Sequence, residues 1–128
     1  MSDSPKNVKY LPSHEWVRLE DDGTVTVGIS DHAQDLLGDI VFVELPEIGQ
    51  QIKSEDEAAV VESVKAASDV YSPVGGEILE VNAKLLDHPE IVNDSPYEDG
   101  WFYKMKPRDV SDLDNLLTPE EYKEKQED

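Results

Sequence analysis

The 128-residue chain contains no cysteine. Disulfides, thiolate nucleophiles and cysteine-ligated metals are therefore excluded, and the redox compartment stays undetermined. Positive charge is scarce: 11 lysines and arginines stand against 30 aspartates and glutamates, a formal net charge of −19. Nucleic acid and anionic membrane both require basic patches, so this balance speaks against either as a partner. No apolar run approaches the ~18 residues of a membrane span. The opening MSDSPKNVKY has no basic segment leading into an apolar one, so no signal peptide is read there, and it is poor in arginine, unlike a transit peptide. His14, His32 and His88 have no metal-ligand spacing, so no metal site is expected, and His14 and His32 are assigned structural work. There is no G-x-S-x-G and no glycine-rich phosphate loop. Carboxylates are so abundant that any pair of them is weak evidence for acid–base catalysis.

A hydrophobic content of 38% is enough for a buried core, and the length suits one domain. The acidity serves solubility, or steers the chain toward cationic partners. The first ten residues are polar and read as loose. HEWVRLEDDGTVTVGI reads as a hairpin turning at Asp21 to Gly23, with Val25, Val27 and Ile29 on one strand face. SDHAQDLLG reads as a short helix, capped by Ser30 or Asp31 and ended by Gly38. DIVFVEL is a strand, and a turn at Pro46 to Gly49 leads to another. KSEDE is an acidic loop. Strands follow at residues 58–64, near Val70 and at EILEVN. AKLLDHPEIVNDSPYEDG is turn-rich, with one or two short helical pieces. WFYKMK places Trp101, Tyr103 and Met105 on one face. SDLDNLL and TPEEYKEKQ look helical, and Thr118, Pro119 and Glu121 have capping-box spacing. Many short strands with small peripheral helices predict an antiparallel sandwich or barrel.

Within this pattern VESVKAASDVYSP sets Lys65 at the apex of a hairpin. A lysine that forms a Schiff base needs its pKa brought down by burial or a neighbouring cation. Here the near neighbours are Glu62 and Asp69, with the hydroxyls of Ser63 and Ser68, and a protruding turn gives no desolvation. The chemistry is wrong for an intrinsically reactive amine. It suits one that another enzyme reaches and modifies, with small neighbours Ala66 and Ala67 leaving access. Composition and spacing leave that reading open beside plain solvated charge, which is the simpler of the two.

The residues carry a further signal. VESVKAASDVYSPVGGEILEVN resembles the lipoate attachment segment of the glycine cleavage system H-protein family. HEWVR, VGISDHAQDLLGDIVFVELPEIG and PEIVNDSPYEDGWFYKMKP match the same family in order, so the likeness spans roughly residues 8–125. Acyltransferase lipoyl domains and biotinyl domains typically read Asp-Lys-Ala and Met-Lys-Met at their lysine, whereas this chain reads Val-Lys-Ala. The resemblance implies a mainly β, lipoyl/biotinyl-type hybrid barrel-sandwich with short peripheral helices and a C-terminal helix. It implies one lipoyl-carrier domain over residues 1–128, with 1–7 a loose N-terminus.

The same resemblance implies lipoate in amide linkage on Lys65, with Glu62, Ser63, Val64 and Ala66 recognised by the attaching enzyme, a lipoate ligase or a lipoyl/octanoyl transferase. It implies a cleft for the loaded arm at Ser13, Glu15 and Asp69, where carboxylates and a hydroxyl hold a cationic amine. The implied role is a non-catalytic carrier. It moves the aminomethyl group of glycine from a pyridoxal-phosphate glycine decarboxylase to a tetrahydrofolate-dependent aminomethyltransferase, and electrons to dihydrolipoamide dehydrogenase. A relay of lipoyl groups to other complexes is the alternative. A monomer is expected, in the bacterial cytoplasm, or in the mitochondrial matrix if the chain is a processed form.

Overall fold

The computed structural model of the chain describes residues 8–126. The expected loose stretch at 1–7 lies outside the described residues. The strands are β1 (Val8–Tyr10), β2 (Glu15–Leu19), β3 (Val25–Ile29), β4 (Ile40–Glu44), β5 (Gln51–Ile52), β6 (Glu57–Ser63), β7 (Ala67–Tyr71), β8 (Gly76–Val81) and β9 (Tyr103–Pro107). They form two antiparallel sheets, one ordered β1-β2-β3-β9-β8-β5 and the other β4-β6-β7. Short helices α1 (Asp31–Leu37), α2 (Lys84–Asp87) and α3 (Ile91–Asp94) link the strands, and α4 (Pro119–Gln126) closes the described chain. The mainly β architecture with a C-terminal helix is the one expected.

The main core lies between the sheets. Val17, Val25, Val27, Val43, Val61, Val70, Ile78, Phe102, Tyr103 and Met105 are all buried in it. Alternation alone explains most of these positions, since every second strand side chain points inward. Close backbone packing explains Gly76. A Cβ built there would fall 2.1 Å from the Lys106 carbonyl oxygen on β9, so a side chain would push the two strands apart.

A second cluster of Val8, Tyr10, Trp16, Tyr97 and Tyr122 binds the chain's two ends together. Tyr10 and Tyr122 stack with ring centroids 4.1 Å apart. The Trp16 indole donates to the Pro96 carbonyl at 3.0 Å. The Tyr122 hydroxyl lies 2.6 Å from His14 Nδ1 and 2.6 Å from Ser30 Oγ. His14 thus has the structural role assigned to it, and His32 packs beside it with ring centroids 5.1 Å apart. Burial, and then the neighbouring His32, lower the His14 pKa.

Local signals placed most boundaries. Ser30 Oγ accepts the Ala33 N–H at the start of α1. Thr118 and Glu121 exchange the two bonds of a capping box, at 3.0 and 3.2 Å. Two local expectations are corrected and a third is refined. Residues 8–10 are not loose but pair with β2, Val8 opposite Arg18 and Tyr10 opposite Trp16, because Val8 and Tyr10 have the second cluster to enter. The helix expected in SDLDNLL is present as a 3-10 helix over Val110–Asn115, with Asp109 accepting the Ser111 N–H at its start. Trp101 precedes β9 and packs on the second cluster rather than sharing the core face of Tyr103 and Met105. Lys104 Nζ sits 5.3 Å from the centroid of its ring, a cation–π contact.

Candidate functional site

Lys65 stands at the apex of the β6–β7 hairpin. The ladder runs Val60 opposite Asp69, Val61 opposite Ser68 and Glu62 opposite Ala67, and the apex closes with Ser63 N–H donating to the Ala66 carbonyl at 2.8 Å. Ser63 Oγ accepts the N–H groups of both Lys65 and Ala66 at 3.1 Å. A serine at this position satisfies two donors that the turn leaves open, as such short hydroxyl side chains do. Residues 64–69 are all exposed, and Val64 is 66% exposed. An exposed, hydrogen-bonded turn gives another protein access to the amine without unfolding this one.

The side chain of Lys65 runs past the end of α1. A Cβ at Gly38 would lie 3.4 Å from Lys65 Cε. Gly38 itself has φ 82° and ψ −158°, a region essentially confined to glycine. The helix stop that the sequence announces therefore also leaves room for the lysine stem. Of the four flanking residues, Glu62, Val64 and Ala66 are exposed and Ser63 is half-buried under the turn.

Glu15, expected in a cleft, is only 2% exposed. One carboxylate oxygen accepts from Ser13 Oγ at 2.5 Å and the other from the Tyr71 N–H at 2.8 Å. Glu15 therefore ties β2, in the larger sheet, to the end of β7, in the smaller one. Burial raises its pKa above the usual 4.5, against the lowering effect of those bonds. Ser13 is exposed and is joined to Glu15 directly. Asp69 is exposed and bonds to neither of them. It precedes Tyr71 by two positions, so by strand geometry it shares the Tyr71 face about 7 Å along. Ser13 and Glu15 are thus brought together, and Asp69 joins them only through the strand that Glu15 grips.

By the ladder register, Glu44, Glu62 and Asp69 share the outer face of the small sheet with Phe42 and Val60. Lys65 rises from acidic ground. Among the described residues, no group of three or more His, Cys, Asp or Glu side chains could hold a metal ion, and no helix is long and apolar enough to cross a membrane.

The family model for glycine cleavage H-protein matches residues 8–128. The chain belongs to the glycine cleavage H-protein family. It is 62% identical over 122 residues to a glycine cleavage system H protein of Psychrobacter cryohalolentis, covering 95% of this chain and 97% of that one. It is 61% identical over 118 residues to the one of Neisseria meningitidis, covering 92% of each. The crystal structure of a glycine cleavage system H protein from Mycobacterium marinum superposes with a TM-score of 0.89 at 36% identity, over 97% of this chain and 99% of that one. Membership makes the chain a lipoyl carrier protein with lipoate as its covalent cofactor. The apex fits such a group: the amine is exposed, its neighbours are small, and the gap at Gly38 admits its stem.

Sequence reasoning missed Asn93, which bonds to the segment beneath the apex. It sits in the quoted PEIVNDSPYEDG, but its partners lie more than 50 residues away, and nothing local announces them.

The raised pKa of Glu15 has a testable sign. The folded protein holds this proton more tightly than the unfolded chain does. The resulting stabilisation is complete below the unfolded value of 4.5 and is lost as pH rises through the folded value. Glu15→Gln is neutral throughout and can still accept from Tyr71 and donate to Ser13. Wild type should therefore lose stability relative to Glu15→Gln as pH rises above 4.5, read by urea unfolding. A difference that stays constant across the carboxylate range would contradict this. Glu15→Ala leaves the Tyr71 N–H without its acceptor and should cost about 1–3 kcal/mol.

Proposed function

We propose that Lys65 is the lipoyl acceptor, and that the whole chain works as one non-catalytic carrier domain serving the glycine decarboxylase, the aminomethyltransferase and dihydrolipoamide dehydrogenase in the bacterial cytoplasm. The observation that carries this reading is the exposed, hydrogen-bonded apex occupied by a single lysine. Bound there, lipoate supplies a dithiol–disulfide pair able to take up the one-carbon amine of glycine and to pass on two electrons.

The protein's own contribution is position. Lys65 gives a flexible stem rooted on a rigid hairpin, so a tethered group meets each partner site at a high effective concentration. Val64 and Ala66 on either side of the amine, with Glu62 on β6, present the surface that an attaching enzyme reads. Ser63 works from beneath, holding the turn closed.

We assign the shelter of the loaded arm to Ser13, Glu15 and Asp69, with divided roles. Exposed Ser13 and Asp69 are free to meet a cationic amine. Glu15 has both oxygens engaged and so orients Ser13 and anchors β7. Asp69 supplies the charge-assisted contact.

Two experiments test these assignments. With lipoate–protein ligase, lipoate and ATP, the wild type should gain one lipoyl group by intact mass, and Lys65→Arg should gain none. Modification persisting in that variant would sink the assignment. For the shelter, wild type, Asp69→Ala and Glu15→Gln are loaded enzymatically from glycine, and formaldehyde release is followed. A charged hydrogen bond is worth roughly 1.5–3 kcal/mol, so Asp69→Ala should release about tenfold faster. Glu15→Gln should stay near wild type. Equal rates for wild type and Asp69→Ala would remove Asp69 from the shelter.

A further inference from the structure

None of residues 64–66 at the apex is buried; the stems of Val64 and Lys65 only pass beside Gly38. Among the described residues, one hydrogen bond ties residues 64–66 to the chain outside the hairpin. It runs from the Val64 N–H to the Asp39 carbonyl at 3.0 Å. Whatever fixes Asp39 therefore fixes the residue next to Lys65.

Asp39 lies between Gly38, which ends α1, and Ile40, which opens β4. Asn93, on α3, bonds to both flanking residues. Its Oδ1 accepts the Ile40 N–H at 2.9 Å, and its Nδ2 donates to the Gly38 carbonyl at 2.9 Å. The same Nδ2 donates to Gln34 Oε1 on α1 at 2.9 Å. One side-chain amide thus spends both donor hydrogens and its acceptor on a single bend. Together these bonds hold the segment whose carbonyl receives Val64, and whose Gly38 leaves space for the lysine stem.

We propose that Asn93 is a positioning residue for the acceptor lysine, acting through Asp39 to keep the apex in the one place where partner enzymes meet it. This rests on the reading that Lys65 is the acceptor. Asn93 touches neither lipoate nor an incoming enzyme. Its effect is on the fraction of molecules whose apex is in the competent position. A fall in that fraction raises the apparent KM of an enzyme acting on Lys65 and leaves kcat nearly unchanged.

The test uses the full unmodified chain. Wild type, Asn93→Ala, Asn93→Asp and Asn82→Ala are compared as substrates of lipoate–protein ligase with lipoate and ATP. The hydrogen exchange of the Val64 amide is measured in each. Asn82 is a control for general loss of stability, because its amide bonds the Asp99 and Trp101 carbonyls instead of the bend. For Asn93→Ala the expected result is Val64 exchanging about tenfold faster, the scale of one net hydrogen bond, with a raised KM at unchanged kcat, the rise being at most about tenfold because it follows the fall in the competent fraction. Asn93→Asp keeps the acceptor for Ile40 and loses both donors. It should fall between wild type and Asn93→Ala, and it gives the answer if the alanine variant does not fold. Asn82→Ala should keep the wild-type KM and Val64 protection.

Wild-type KM and Val64 protection in both Asn93 variants would overturn the proposal, as would an equal change in Asn82→Ala. A wild-type protein left unmodified at Lys65 would instead overturn the acceptor reading, and the proposal with it.

Discussion

An amine that other enzymes must find has to stand clear of its own protein. A turn that stands clear has little apolar contact to hold it still. The β6–β7 apex meets this constraint with hydrogen bonds in place of packing. Ser63 closes the turn from below, the Asp39 carbonyl holds Val64, and Asn93 holds Asp39 from both sides. Each bond is worth only about 1 kcal/mol net. Their combined effect is geometric, because they leave the turn one low-energy arrangement. The two sheets serve the same end, burying Val61 on β6 and Val70 on β7 in the main core so that the hairpin is rigid up to its last pairs.

The Glu15 carboxylate couples that hairpin to the larger sheet. A buried carboxylate is costly, and its raised pKa records the cost. What the fold gains is a fixed end for β7, whose Tyr71 N–H would otherwise lie open at the sheet edge. Exposed Asp69 is placed by the same strand. Glu44, Glu62 and Asp69 lie on the outer face of the small sheet, and a chain with net charge −19 attracts cationic surfaces over about a Debye length. On the proposed reading, position close in and charge further out both serve to bring partners to Lys65.

Much of the fold was legible because its signals are local. Ser30, Gly38, Thr118 and Glu121 mark helix ends through bonds within a few residues of themselves, and the valines of β3 alternate in plain view. Val8 and Tyr10 were misread as loose because what buries them, Trp16 and Tyr122, comes from β2 and from the far end of the chain. The helix in SDLDNLL was expected, but its 3-10 form was not legible, because so short a segment does not separate that periodicity from an α-helix. At the site, Lys65 was visible at once, but its residues alone left solvated and modified readings both standing, and it is the family resemblance that favours the modified one. Glu15 was expected in a cleft, and nothing local announced its burial or its bond to Tyr71, 56 residues away. Asn93 gave no signal, because an asparagine in a turn-rich segment ordinarily bonds locally.

The central claim is that Lys65, and no other lysine, carries the lipoyl group. Trypsin cleaves after free lysine and not after acylated lysine. The segment from 54 to 84 contains Lys65 and ends at Lys84 with no other lysine or arginine inside it. Protein purified from lipoate-supplied cells should therefore yield residues 54–84 as one peptide bearing a single lipoyl group, placed on Lys65 by fragmentation. Quantitative cleavage into 54–65 and 66–84, with the lipoyl group found on a different lysine, would contradict the account.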